Sequence, residues 1–288
     1  MRFLSLFQYW QLPLLALISW YGMLIAMLAC WSFQGHPIYW FMTGYQDPVY
    51  LSDIGATSLQ PLFIACAGFQ GLFYFITFVC EFFLRLNKKL IPGFYNKDEK
   101  NLSFAAIIFA AIGQLGILMV SIFNTHNFSR VHVIMLCVFI VGVFLCMVCN
   151  IGEYGVSGNG YGYGGNNHLF IFGMDKLVIS FFGKLIWIII AIVFAVVFAV
   201  DMKSSSDEEW GISASFEWTL CFWYGILHSL LAIDLSCTRH LGYDHHHYYE
   251  KEGDDDRHTI NDSNHTNNTI SLATATATDY TETPVLPS

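Results

Sequence analysis

Glu217, Cys221, Tyr224 and His228 recur at i, i+4, i+7 and i+11, which places all four side chains on one face of a helix. An acid, a thiol, a phenol and an imidazole are groups that acid–base and nucleophilic chemistry draws on. They sit in an otherwise apolar run, where a polar stripe must look into protein and not at hydrocarbon. Two readings stay open: hydrogen bonding between helices, or a lined cavity that receives a headgroup or a proton. Other ionisable residues lie in or beside apolar runs. Glu81 and Arg85 are spaced for an i,i+4 ion pair at a helix end. Lys184 lies about 10 Å into its run at 1.5 Å per residue, within snorkelling reach of headgroups. Asp234 stands at the end of the last run and marks an interface.

A lipid hydrolase or acyl-remodelling enzyme would draw on His36, Asp53, Glu217 or His228, and it needs nucleophile, base and orienting group within hydrogen-bond reach. The sequence has no G-x-S-x-G, no H-E-x-x-H and no paired carboxylates at fixed spacing, so the expectation is a protein that is not an enzyme and uses no cofactor. Gly160–Gly165 matches G-x-G-x-x-G but follows an apolar helix in low-complexity surroundings, and reads as a loop and not a dinucleotide site. Asp244-His245-His246-His247 reads as solvated polar sequence and not a metal site.

The elements that must position these residues follow from composition. The 288 residues are 55% hydrophobic and 12% charged, about half the charge of a soluble domain. Thirteen of the 22 acids fall in Asp201–Glu209 and Asp244–Glu282, which leaves the body almost free of charge. The expected fold is an all-α polytopic membrane protein with six transmembrane helices at about 14–32, 61–84, 102–123, 133–151, 177–200 and 215–234, each near the 20 residues a bilayer requires. Residues 1–236 form that domain. Residues 237–288 are an acidic tail too polar to offset the entropy of ordering, and are expected to be disordered. The first run lacks an A-x-A cleavage site and is expected to stay as a span.

Eight Lys and Arg flank one side of this arrangement and two the other, so the positive-inside rule places both termini in the cytosol. Arg85, Lys88 and Lys89 then form a basic cluster at the anionic inner leaflet. Asn127 in Asn127-Phe-Ser is an outer-loop glycosylation candidate. Seven cysteines read as small hydrophobes; Cys237, just past the last span, is a candidate for palmitoylation. The net charge of −9 argues against nucleic acid. Small residues at Ala67 and Gly71, and at Ala106, Ala110 and Gly113, allow close helix approach. In the long loop 33–60, Asp53 and Gly55 read as a turn with the glycine at positive φ.

That loop and the start of the next span, HPIYWFMTGYQDPVYLSDIGATSLQPLFIACAGFQGLFY, resemble the Frag/DRAM/Sfk family of six-span proteins, and its fungal branch in particular. Ser52, Asp53 and Gly55 match its signature; Pro48 stands one residue further upstream than the pattern. His132, Glu217-Trp218 and Asp234 match further family positions, and the similarity covers about 10–240. The resemblance implies a plasma-membrane adaptor that supports a phosphatidylinositol 4-kinase complex, phosphoinositide signalling and lipid organisation. Its expected partners are that kinase complex, anionic inner-leaflet phospholipid and sterol. Other branches imply autophagy control at a vacuole or lysosome, or GPI-anchor lipid remodelling in Golgi or ER membranes.

Overall fold

The computed structural model describes residues 8–42, 44–90, 93–94, 96–158, 168–203 and 206–236, with side chains left out at 155–158 and 168–175. Cys237, most of the glycine-rich segment and the acidic tail lie outside the described residues. Seven helices are described: α1 Gln11–Phe33, α2 Leu51–Ile54, α3 Gln60–Leu86, α4 Lys97–Ile122, α5 Thr125–Gly158, α6 His168–Asp201 and α7 Asp207–Leu235. Six, all but the short α2, are long and apolar enough to cross a membrane. Outward faces carry Ile18, Ile25, Phe83, Val141, Ile189 and Val196, all exposed, as lipid-facing residues are.

The helices run past the expected spans because polar turns continue them. At the start of α5 the Asn124 side chain accepts the Asn127 amide at 2.8 Å and satisfies one of the orphan donors of that end. At the start of α7, Asp207, Glu208 and Glu209 occupy the first turn, where the helix dipole favours anions.

Around the bundle, α4 packs on α5 and α3, α3 on α1, α1 on α7, and α7 on α6. The ring closes only loosely between α6 and α5. The tightest crossing is α4 on α5. A Cβ on Gly142 would come within 2.6 Å of the Gly113 Cα, and one on Gly116 within 2.7 Å of the Phe139 nitrogen. Glycine is required there because backbone meets backbone. Of the other small residues, Ala67, Ala106 and Ala110 are buried, and Gly71 abuts Gln114.

The axis of the bundle is aromatic and polar. Tyr224 accepts hydrogen bonds from the Gln70 amide at 2.8 Å and the Gln114 amide at 3.0 Å, and its ring meets Trp20 edge-on at 5.4 Å. The indole of Trp20 donates to the Cys221 carbonyl, and the Tyr21 hydroxyl to the Phe222 carbonyl, both at 2.8 Å. These bonds fix the rotation of α7 against α1, α3 and α4. A smaller apolar cluster of Leu84, Leu90, Leu177 and Leu235 closes the end of the bundle opposite α2.

A candidate lipid site beneath helix α2

The four-residue α2 lies across one end of the bundle, held by α7. Glu217 accepts the Leu51 amide at 2.7 Å, with Ser52 bonded to the same carboxylate, and the Trp218 indole donates to the Val49 carbonyl at 2.9 Å. Asp53, 8% exposed, points the other way: its Oδ1 accepts the Thr125 hydroxyl at 3.2 Å and its Oδ2 the Gln46 amide at 3.4 Å. Burial pushes the Asp53 carboxyl up to about 6, and the Thr125 hydroxyl partly opposes this. His132 gives Nδ1 to the Phe123 carbonyl at 2.8 Å and approaches the Val120 carbonyl at 3.1 Å. Two acceptors on Nδ1 require its proton there and leave Nε2 as the acceptor nitrogen of the neutral ring.

Gly55 differs from its expected role. Its φ is −65°, so no positive-φ turn exists there. The glycine is needed for space, since a Cβ would come within 2.6 Å of the Phe63 ring.

Two cavities meet under α2. The first, about 370 Å³, is polar at Gln46, Ser52, Asp53, Thr125, His132 and Glu217, with Phe41 and Trp210 among its aromatic walls. The second, about 140 Å³, is almost wholly apolar and runs down between Phe139, Val143 and Phe144 on α5 and Trp187, Ala191 and Ala195 on α6. Ser52, His132, Leu136, Phe198 and Glu217 line both. From His132 to Phe144 the wall extends about 18 Å at 1.5 Å per residue. Phe144 and Ile192 border the apolar cavity and are also exposed on the bundle exterior. The cavity therefore opens sideways through the loose α5–α6 seam, towards the acyl chains of the bilayer.

The stripe on α7 is divided between tasks. Glu217 holds α2, Cys221 lines the apolar cavity, Tyr224 ties three helices, and His228 sets Nε2 3.1 Å from Gln70. Both readings of the stripe thus have a place in the structure, at different heights. His36 lies apart from these residues, stacked on Trp31 at 4.2 Å.

At the opposite end the structure corrects four expectations. Arg85 is fully buried and does not lie with Lys88 and Lys89, which are exposed. It pairs with Glu153 of α5 and, at 3.6 Å, with Glu99 of α4, and the Phe94 ring lies 4.5 Å from its guanidinium. Glu81 accepts the Tyr154 hydroxyl at 2.6 Å in place of the expected pairing within α3. Lys184 does not snorkel: it is 1% exposed and paired with Asp234, with Asn150 as a second acceptor. Asp234 is thus a buried counter-ion and not an interface marker. The ring of Tyr154 lies between Arg85 at 5.1 Å and Lys184 at 4.9 Å and joins both pairs into one network. Sequence spacing gave no sign of it, since the partners come from five helices, α3 to α7.

Among the described residues, no cluster of three His, Cys, Asp or Glu has the arrangement of a metal site. Asn127 is exposed in the first turn of α5.

Residues 8–238 match the family model described as the Frag1/DRAM/Sfk1/Cwh43P N-terminal domain. The chain belongs to this family. Frag1/DRAM/Sfk1 relatives include Protein SFK1 of Saccharomyces cerevisiae, 41% identical over 280 residues, covering 77% of this chain and 76% of the relative. Protein sfk1 of Schizosaccharomyces pombe is 30% identical over 225 residues, covering 78% of this chain and 62% of the relative. No solved structure matches. The resemblance read from the loop is therefore correct at family level, and the Frag1/DRAM/Sfk1 domain here is a multi-pass helical membrane protein.

Proposed function

We infer that this protein is a non-catalytic regulator of lipid organisation at the plasma membrane, and that it supports phosphatidylinositol 4-kinase recruitment and phosphoinositide signalling on the cytosolic side. The observation that carries this reading is the lipid-open cavity under the signature helix. A chamber with a polar head and an apolar shaft, open to the bilayer, suits a lipid better than a water-soluble substrate. Glu217 and Asp53 are engaged in holding the loop, Glu217 through Leu51 and Ser52 and Asp53 through Gln46 and Thr125, which accounts for both carboxyl groups without a catalytic role.

The orientation that goes with it puts α2 on the outer face and both termini in the cytosol. Removing buried Arg85 from the count of flanking charges still leaves seven Lys and Arg against two. Exposed Lys88 and Lys89 then face anionic lipid, each contributing about 1 kcal/mol of attraction, and the cytosolic face is free to meet a kinase complex.

A phosphatidylinositol 4-phosphate sensor imaged in cells tests this. Deletion of the gene lowers plasma-membrane signal, the wild-type gene restores it, and a gene carrying Ala191→Trp, which fills the cavity, does not. An unchanged signal on deletion refutes the kinase reading and points to the autophagic or lipid-remodelling roles of the wider family.

A further inference from the structure

We propose that the polar chamber under α2 binds the primary ammonium head of a membrane lipid, whose alkyl chain lies in the apolar cavity below. This deepens the lipid-site reading above and rests on it.

The chamber is built of acceptors. Asp53 and Glu217 supply two carboxyl groups, and no Lys or Arg stands among its described lining residues. Gln46 is 4% exposed; its amide nitrogen is turned to Asp53, and its Oε1 has no donor. A buried acceptor left without a donor costs about 1–3 kcal/mol, so this oxygen calls for an N–H or O–H from a ligand. Asp53 is buried without a countercharge, and burial alone pushes its carboxyl up. A cation placed beside it would offset that cost.

The choice among lipid heads follows from the same atoms. A head whose only charge is a phosphate brings net negative charge to these carboxyl groups, with nothing to offset it. A quaternary ammonium brings positive charge but no N–H for Gln46. A primary ammonium brings the charge and three donors, which matches the oxygens of two carboxyl groups and one amide. The aromatic walls at Phe41 and Trp210 add favourable ring faces for a cation. Because polar and apolar cavities share Ser52, His132 and Glu217, the head must sit close to its chain. Two lipid classes have this chemistry, single-chain or two-chain ethanolamine phospholipids and sphingoid bases.

Trp20, Trp187 and Trp223 line the apolar cavity and report on its occupant. Full-length protein in detergent is titrated with chain-brominated lysophosphatidylethanolamine, sphingosine, lysophosphatidylcholine and lysophosphatidylglycerol, and tryptophan quenching is followed. Half-maximal quenching by at least one primary amine is expected at about one-tenth the concentration of the choline lipid, equivalent to about 1.4 kcal/mol. Which amine binds more tightly separates the two sources. Asp53→Asn and Gln46→Leu each remove most of that preference while the circular dichroism and melting temperature of the protein are retained. Ala191→Phe, which fills the cavity without adding a reporter, abolishes quenching by every lipid. Equal quenching by all four heads, or a preference untouched by Asp53→Asn and Gln46→Leu in folded protein, overturns the ammonium assignment and leaves the cavity reading standing. Quenching that survives Ala191→Phe overturns the cavity reading itself.

Discussion

The indole of Trp187 on α6 donates to the Trp223 carbonyl on α7 at 2.8 Å, and the indole of Trp223 donates back to the Trp187 carbonyl at 3.0 Å. The reciprocal pair pins α6 to α7 at the wall of the apolar cavity, where α6 has little support from α5. Each bond contributes about 1 kcal/mol, and each depends on the register set by the other. Trp187→Phe and Trp223→Phe should each lower stability by about 1–2 kcal/mol, and the double variant should lose less than the sum. Thermal unfolding of the four proteins in one detergent closes the cycle; strict additivity would show that the two bonds act independently.

Glu217 joins α7 to α2 across a sequence separation that no local rule covers. With its carboxyl removed, the buried Leu51 amide loses its acceptor, at a cost of about 1–3 kcal/mol. Glu217→Ala should therefore free residues 49–57 before it unfolds the bundle. Hydrogen exchange on intact protein checks this: exchange speeds up in that segment while α3 and α4 keep their protection. Global loss of protection would instead make Glu217 a core residue of the whole fold.

Lys184 and Asp234 form a buried pair with Asn150 as second acceptor. Removing one partner strands a charge in an apolar interior, at about 3–5 kcal/mol, whereas replacing both with apolar side chains is close to neutral. Lys184→Met and Asp234→Leu should each lower the melting temperature steeply or prevent expression, and Lys184→Met with Asp234→Leu should recover most of the loss. A double variant as unstable as the single ones would mean that Tyr154 and Asn150 need the charges for more than mutual neutralisation.

How much of this was legible follows from what each feature depends on. Length and hydropathy fix the six spans, because the bilayer demands about 20 apolar residues whatever the neighbours are. The stripe from Glu217 to His228 was legible as an inward face, since helical period decides which way it looks. What spacing could not supply is who meets whom. Glu81 and Arg85 fit an i,i+4 pair, yet the better partners, Tyr154, Glu153 and Glu99, come from α4 and α5. Lys184 looked able to snorkel because its depth was known and its counter-ion on α7 was not. Gly55 carried a turn reading from Asp-x-Gly, whereas the pressure on it comes from Phe63 across the fold. The cavity was invisible for the same reason: it exists only because α5 and α6 fail to close.

The separation of Arg85 from Lys88 and Lys89 gives opposite expectations for residues that are sequence neighbours. Arg85→Ala leaves Glu153 and Glu99 buried without their guanidinium and should cost several kcal/mol. Lys88→Ala with Lys89→Ala removes exposed charge and should change stability by no more than about 0.5 kcal/mol. Under the proposed orientation the double alanine protein should instead lose plasma-membrane phosphoinositide signal in cells. Melting temperature and sensor imaging on the same two variants separate a folding role from a leaflet role; a normal melting temperature for Arg85→Ala would refute its structural placement.

Asp53 should give the α2 end a pH dependence. Its carboxyl sits at about 6 against 3.8 in the absence of the fold. The native state then holds the proton more tightly than the unfolded chain, so stability is greatest below about 4 and falls as pH rises to about 6, by at most about 2–3 kcal/mol. The groups facing it are the Thr125 hydroxyl, the Gln46 amide and the Glu217 carboxyl; burial sets the direction and the Thr125 bond partly opposes it. In Asp53→Asn the slope over this window should flatten, with stability near neutral pH equal to or above that of the natural protein. Melting curves of both proteins across that range, in one detergent, give the comparison. Parallel curves would mean that Asp53 titrates normally and that water reaches it in the native state.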